Sequence, residues 1–106
     1  MKKTTTVKID EKAERIRRWA QMRGLYENGD PYTQFLKLQE ESGELAQGLL
    51  KKRPHEVKDA IGDMYAVLVN LAHLSGFRIE DCIDSAWNEI KDRKGEMVNG
   101  TFVKDK

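Results

Sequence analysis

The sequence predicts an all-α, four-helix bundle-like protomer with a short C-terminal tail or hairpin, and three observations carry that prediction. Apolar residues recur at helical spacing through most of the chain. Two prolines, Pro31 and Pro54, stand where each would open a helix. Glycine-bearing turns separate the segments. At 106 residues the chain fits a single domain, with a core over about residues 10–94 and a tail over 95–106.

The first helix is expected from Asp10 to Gly24, where Ile16, Trp19, Ala20 and the Met22-Arg23 pair fall at near-helical spacing. Asp10 would cap it and Gly24 would stop it. In the turn Asn28-Gly29-Asp30-Pro31, Asp30 can cap and Pro31 suits the first helical position. The second helix then runs from Pro31 to Lys51, with Phe35, Leu38, Leu45 and Leu49 in one stripe. Pro54 opens the third helix, which ends near Gly76 and is apolar most of the way round, as in a helix buried against several neighbours. A protomer this small covers such a helix poorly, so a second copy is expected to pair with it. The fourth helix, Ile79 to Lys94, would bury Ile79, Ile83, Ala86, Trp87 and Ile90. Beyond it, Asn99-Gly100 between β-formers predicts a tight turn or hairpin.

Composition excludes several functions. With 19 basic and 18 acidic residues the net charge is +1, which makes no case for nucleic acid or a membrane surface. A single cysteine, Cys82, rules out an internal disulfide framework and a cysteine-only metal site. It also lacks a histidine partner for nucleophilic chemistry. The longest apolar run, around Met64–Leu74, is broken by Asn70 and His73 and falls short of a membrane span. Met1–Thr6 has basic residues with no apolar stretch behind them, unlike a secretory signal. A cytoplasmic setting is the expectation.

The informative feature is where the acids sit. Glu40, Glu41 and Glu44 are related by i,i+3 and i,i+4 spacing, so all three can converge on one side of the second helix. Glu41 lies about 40° from Leu45 around that helix, at the border of its buried stripe. On the third helix Asp59 and Asp63 are i,i+4, and Asp63 shares a column with Val67, Asn70 and Leu74. An unpartnered carboxylate facing a bundle interior is costly. A divalent cation would relieve the crowding, and oxygen-only ligands favour Mg²⁺ or Mn²⁺ over zinc. Spacing alone equally allows solvated glutamates and aspartates paired to neighbouring cations. Asp84, Asn88 and Lys91 form a polar stripe on the fourth helix, followed by Arg93 and Lys94, which would suit a polyphosphate or simply offset the helix dipole.

Taken together, Glu40-Glu41-Ser42-Gly43-Glu44, the Gly-Glu-Leu-Ala run at Gly43–Ala46, Ile61-Gly62-Asp63 and Asn88-Glu89-Ile90-Lys91 resemble the MazG-like nucleotide pyrophosphohydrolases. The likeness covers about Gln34 to Lys94. The family pattern is EExxE followed by ExxD, and Asp63 takes the place of its aspartate. One departure stands out: Ala60 occupies the ExxD glutamate position, and Asp59, one turn below Asp63, is expected to supply the missing carboxylate. Glu56 and Asp59 also spell ExxD, but Glu56 stands about 10 Å along the helix from Asp63 and is set aside.

The resemblance implies Mg²⁺-dependent hydrolysis of a nucleoside or deoxynucleoside triphosphate to the monophosphate and pyrophosphate. It implies Glu41, Glu44, Asp59 and Asp63 as metal ligands and Glu40 as general base or further ligand. Asn88 and Lys91, with Arg93 and Lys94, would contact substrate. Trp19, Tyr32, Phe35 and Trp87 could face a base, although core packing accounts for each. A homodimer or homotetramer, pairing through the second and third helices, is implied with no nucleic-acid or membrane partner. The rival from another class is an inactive helical dimer that binds nucleotide or protein, a reading Ala60 keeps open. His55 is expected at the surface and His73 as a partly buried structural residue.

Overall fold

A computed structural model describes the backbone of residues 5–106 and the side chains of residues 11–106. Its elements in order are α1 (Thr5–Met22), α2 (Leu25–Asn28), α3 (Pro31–Leu50), α4 (Pro54–Leu74), α5 (Ile79–Ile90), β1 (Gly95–Val98) and β2 (Thr101–Lys104). The fold is therefore all-α apart from one small antiparallel hairpin, as the sequence predicts. The four predicted helices are α1, α3, α4 and α5. Met1–Thr4, at the head of the segment weighed as a signal, lies outside the described residues.

Local chemistry accounts for most boundaries. Gly24 ends the α1 region with φ of 76°, a left-handed conformation that suits glycine. Asp30 caps α3 by accepting from the Thr33 backbone N–H at 2.8 Å, and Pro31 follows at the first position. The hairpin turns on Asn99 (φ 50°) and Gly100 (φ 84°), the pair of positive values that a two-residue turn requires. Two expectations are corrected. The first helix begins at Thr5, so Asp10 falls inside it and not at its cap. The one-turn helix α2, bracketed by Gly24 and the Asn28–Pro31 turn, is too short for periodicity to announce.

Packing centres on α4. Its longest interface is with α3, where Gly48 lets the backbones close: a Cβ there would meet the Val57 side chain at 3.1 Å. On its other side α4 meets α1 and the start of α5, around Ala13, Val69, Ala72 and Ile79. Arg17, buried on α1, bridges to Glu80 at 2.7 Å and to Glu14 at 3.0 Å, pinning α5 to α1. The same bridge pulls the Glu80 carboxyl below its ordinary value.

Other apolar surface stays uncovered in a single chain. Of the residues expected to be buried on α5, only Ile79 is; Ile83, Ala86, Trp87 and Ile90 are exposed, Trp87 by 57%. The reason is geometric, because α5 touches only α4 and α1 and the hairpin touches no helix among the described residues. Phe35 and Leu49 on α3, and Ile61 and Leu68 on α4, are also exposed. The Cα radius of gyration is 16.4 Å, against about 13 Å for a compact chain of this length. His55 is exposed as expected; His73 is exposed too, stacked on Tyr26 with ring centroids 3.8 Å apart.

Candidate metal centre and nucleotide site

The antiparallel pairing of α3 with α4 sets the EExxE helix against the helix that carries Asp59 and Asp63. Between them lies a cleft of about 400 Å³ lined by Glu44, Gln47, Glu56, Asp59, Ala60 and Asp63. Three of the four expected metal ligands therefore share one cleft. The fourth, Glu41, lies one turn before Glu44 on α3 and is buried, 7% exposed. Among the described residues its Oε1 has no hydrogen-bond partner, while Oε2 lies 3.6 Å from Lys37 Nζ.

Electrostatics links Glu41 to the cleft. Burial, and then the charges of Glu44 and Asp63, push its carboxyl above the usual carboxylate range. A buried carboxylate with an empty oxygen, repelled by two neighbours, costs about 1–3 kcal/mol as it stands. All donors here are hard oxygens, the chemistry that suits Mg²⁺ or Mn²⁺. The cleft is open. Among the described residues no three His, Cys, Asp or Glu side chains gather closely enough to cage an ion.

The remaining candidates are placed differently. Glu40 does not line the cleft and pairs with Lys37 at 3.1 Å, and Asp59 stands at its exposed edge with His55 Nε2 at 3.5 Å. Ala60 is buried in the cleft wall, so the ExxD glutamate position carries no charge. Glu56, set aside on helical distance, lines the same cleft, which runs along α4 from Glu56 to Asp63; it also pairs with Arg53 at 3.4 Å. None of Asn88, Lys91, Arg93 and Lys94 lines the cleft, and all four are exposed. Neither α5 nor the hairpin touches α3 among the described residues.

Two groups near this face escaped the sequence reading of the site. Gln47 follows Glu44 by three residues, so its spacing could have shown it. Asn70 stands in the Asp63 column, but the Tyr26 hydroxyl that donates to its Oδ1 at 2.6 Å is 44 residues away. No local pattern reveals that pair.

The family model of the MazG nucleotide pyrophosphohydrolase domain matches residues 30–98, a stretch that holds every acid of the cleft. An uncharacterized 18.2 kDa protein from the rep-hol intergenic region of Haemophilus phage HP1 is 49% identical over 57 residues. That match covers 54% of this chain and 35% of the relative, so the chain spans about a third of the curated relative it matches. No solved structure matches.

Proposed function

The chain belongs to the MazG nucleotide pyrophosphohydrolase family, and on that premise we propose that it hydrolyses a nucleoside or deoxynucleoside triphosphate to the monophosphate and pyrophosphate, with Mg²⁺ or Mn²⁺ as cofactor. One observation carries the reading: the buried, half-satisfied Glu41 facing Glu44 and Asp63. Such a group is destabilising unless a cation completes it. Glu41, Glu44 and Asp63 would hold the ion, with Asp59 at the cleft edge. An open set of carboxylates suits Mg²⁺, which usually takes one or two of them and fills its octahedron with water and substrate phosphates. When bound, the ion supplies charge neutralisation for the phosphates and a polarised water.

Cleavage between the α- and β-phosphorus puts the oxygen of water on the monophosphate and releases pyrophosphate. The proton that water loses needs an acceptor, and Glu40 is assigned that role. Its side chain would have to exchange Lys37 for the water, which costs little for an exposed ion pair. Gln47 can donate to a phosphate oxygen from the cleft wall.

Cations for the polyphosphate are assigned to a second copy. The uncovered Ile83, Trp87 and Ile90 of α5 and the hairpin's Met97, Phe102 and Val103 call for a partner surface. A homodimer or homotetramer that covers them would carry Asn88, Lys91, Arg93 and Lys94 toward a neighbour's cleft. Sedimentation of a fully active single chain would sink this part of the reading.

The decisive experiment is pyrophosphate release from a panel of NTPs and dNTPs with Mg²⁺, with and without chelator, beside Glu44→Ala and Asp63→Ala. Chelator-sensitive turnover, lost in both variants, is the expected result. A folded, oligomeric protein inert to every substrate would favour the binding-module reading, whose one specific support is the buried Ala60 in place of the ExxD glutamate.

A further inference from the structure

Lys37 stands on α3 one turn before Glu41 and two turns before Glu44. The spacing to Glu44 places the two within about 20° around the helix and about 10 Å apart along it. Lys37 Nζ donates to Glu40 Oε1 at 3.1 Å. It also lies 3.6 Å from Oε2 of the buried Glu41, too far for a hydrogen bond. Among the described residues no other cation pairs with Glu40 or Glu41, and Glu44 and Asp63 have no ion pair. Arg53 and His55 are engaged elsewhere along the cleft, with Glu56 and Asp59.

This ammonium is shared and weakly held. Its side chain is half exposed, and an ion pair at such a site contributes little. In the protein alone it offsets part of the crowding among Glu40, Glu41, Glu44 and Asp63. A bound triphosphate changes that balance. Once Glu41, Glu44 and Asp63 carry a divalent ion, Lys37 has less charge to offset there, and the phosphates bring more negative charge than the ion cancels. The flexible four-carbon stem lets the ammonium follow the charge while α3 stays in place.

We propose that Lys37 is a phosphate ligand of this protein, held by Glu40 and Glu41 before substrate binds and passed to a phosphate oxygen when it does. The proposal rests on the nucleotide reading above and adds to it a cation from the same chain as the carboxylates, whereas Asn88, Lys91, Arg93 and Lys94 are assigned to a neighbour's cleft. The exchange also ties binding to chemistry. As Lys37 leaves, Glu40 loses its partner, and its carboxylate is open to take the proton that the attacking water gives up. Glu40 is then an ion-pair partner in the free protein and a base in the loaded one.

The test is calorimetric and needs no turnover. Wild type, Lys37→Gln and Lys37→Arg are titrated with Mg²⁺ alone and then, in Mg²⁺, with a panel of ribo- and deoxyribonucleoside triphosphates whose α,β-bridging oxygen is replaced by methylene. The side chain is half exposed, so both variants should keep the fold, which circular dichroism checks. Lys37→Gln should bind the analogues about tenfold weaker or worse, and Lys37→Arg within about threefold of wild type, since either cation can meet a phosphate. Mg²⁺ alone should bind Lys37→Gln as tightly as wild type or more tightly, because a competing positive charge is gone. Equal analogue affinity in wild type and Lys37→Gln, or Lys37→Arg as weak as Lys37→Gln, would overturn the proposal. So would a loss of Mg²⁺ affinity in Lys37→Gln as large as its loss of analogue affinity, for the lysine would then only keep Glu41 in place. Failure here is separable from failure of the hydrolase reading. Lys37-dependent analogue binding without pyrophosphate release from any true substrate sinks only the latter, turnover with equal analogue affinity in Lys37→Gln sinks only the former, and a wild type that binds no analogue sinks both.

Discussion

The two ends of α4 solve the same local problems in opposite ways. At its C-terminal end the helix closes with Gly76 at φ 90°, and the N–H of Phe77 returns to the Ala72 carbonyl at 2.8 Å. The buried Asn70 carbonyl oxygen has a donor, and the buried Arg17 has Glu80. At its N-terminal end the preceding helix closes with the same hydrogen-bond pattern, Arg53 N–H to the Gly48 carbonyl at 2.9 Å, but the left-handed residue is Lys52. About 16 Å back along α3, Glu41 keeps an oxygen with no partner among the described residues. Unfavourable local choices lie along the α3 side of α4, where the carboxylates are, while the buried Arg17 and the Asn70 carbonyl near its C-terminal end are paired. That asymmetry is the pattern of a fold that holds a ligand site at some cost in stability.

The largest effect expected from this contrast is on activity. Asp63→Asn and Glu44→Gln preserve size and remove charge from the cleft, so pyrophosphate release should fall by at least about a hundredfold in each. The fold, read by circular dichroism, should be unchanged. Near-normal turnover in either would mean that the crowded end of α4 is not where the chemistry happens.

At the satisfied end the expected loss is in stability. Arg17→Met leaves Glu80 with only the exposed Arg78 guanidinium at 3.3 Å and should cost about 2 kcal/mol in urea unfolding. The pH dependence follows from Glu80. Its native pKa lies below the unfolded value of about 4.5, so the bridge stabilises the fold above that value and loses its contribution as pH falls through the lower native one. Arg17 stays charged throughout. The wild-type protein should lose stability below about pH 4.5 more steeply than Arg17→Met does.

Glu41 reverses the sign. Glu41→Gln removes a charge held near Glu44 and Asp63, and should stabilise the metal-free protein by about 1–2 kcal/mol. Adding Mg²⁺ should raise the melting temperature of the wild type by mass action and move the variant far less. A variant less stable than wild type in chelator would show that Glu41 is a structural residue.

This division also explains what the sequence could show. Helix starts at Pro31 and Pro54, the Asp30 cap and the Asn99-Gly100 turn were legible because each depends on residues within a few positions of one another. The convergence of Glu44, Asp59 and Asp63 on one cleft was legible from helical phase once α3 and α4 were paired. Exposure of Trp87 and Ile90 was not, since amphipathicity shows which face is apolar and not what covers it. The Tyr26–Asn70 bond and the inclusion of Glu56 in the cleft wall depend on tertiary placement, which no spacing encodes. Lys52 in a left-handed conformation was equally hidden, because the sequence offers no glycine there to mark the end of α3.

Lys52 sharpens the comparison with the smallest effect. A side chain in the left-handed region costs about 1 kcal/mol relative to glycine, as Cβ crowds the carbonyl oxygen. Lys52→Gly should recover most of that, raising the melting temperature by a few degrees. Gly76→Ala at the mirrored position should lower it by a similar amount. Lys52→Asn should fall between wild type and Lys52→Gly, since asparagine tolerates the conformation better than lysine. If Lys52→Gly gains nothing, the lysine is making up its backbone cost through a favourable interaction of its charge. Salt would then expose that interaction: the wild type would lose stability with ionic strength and the glycine variant would not. A gain in stability with unchanged pyrophosphate release would instead separate the strain of this turn from the cost of the carboxylates, leaving Glu41 as the one unfavourable feature tied to ligand binding.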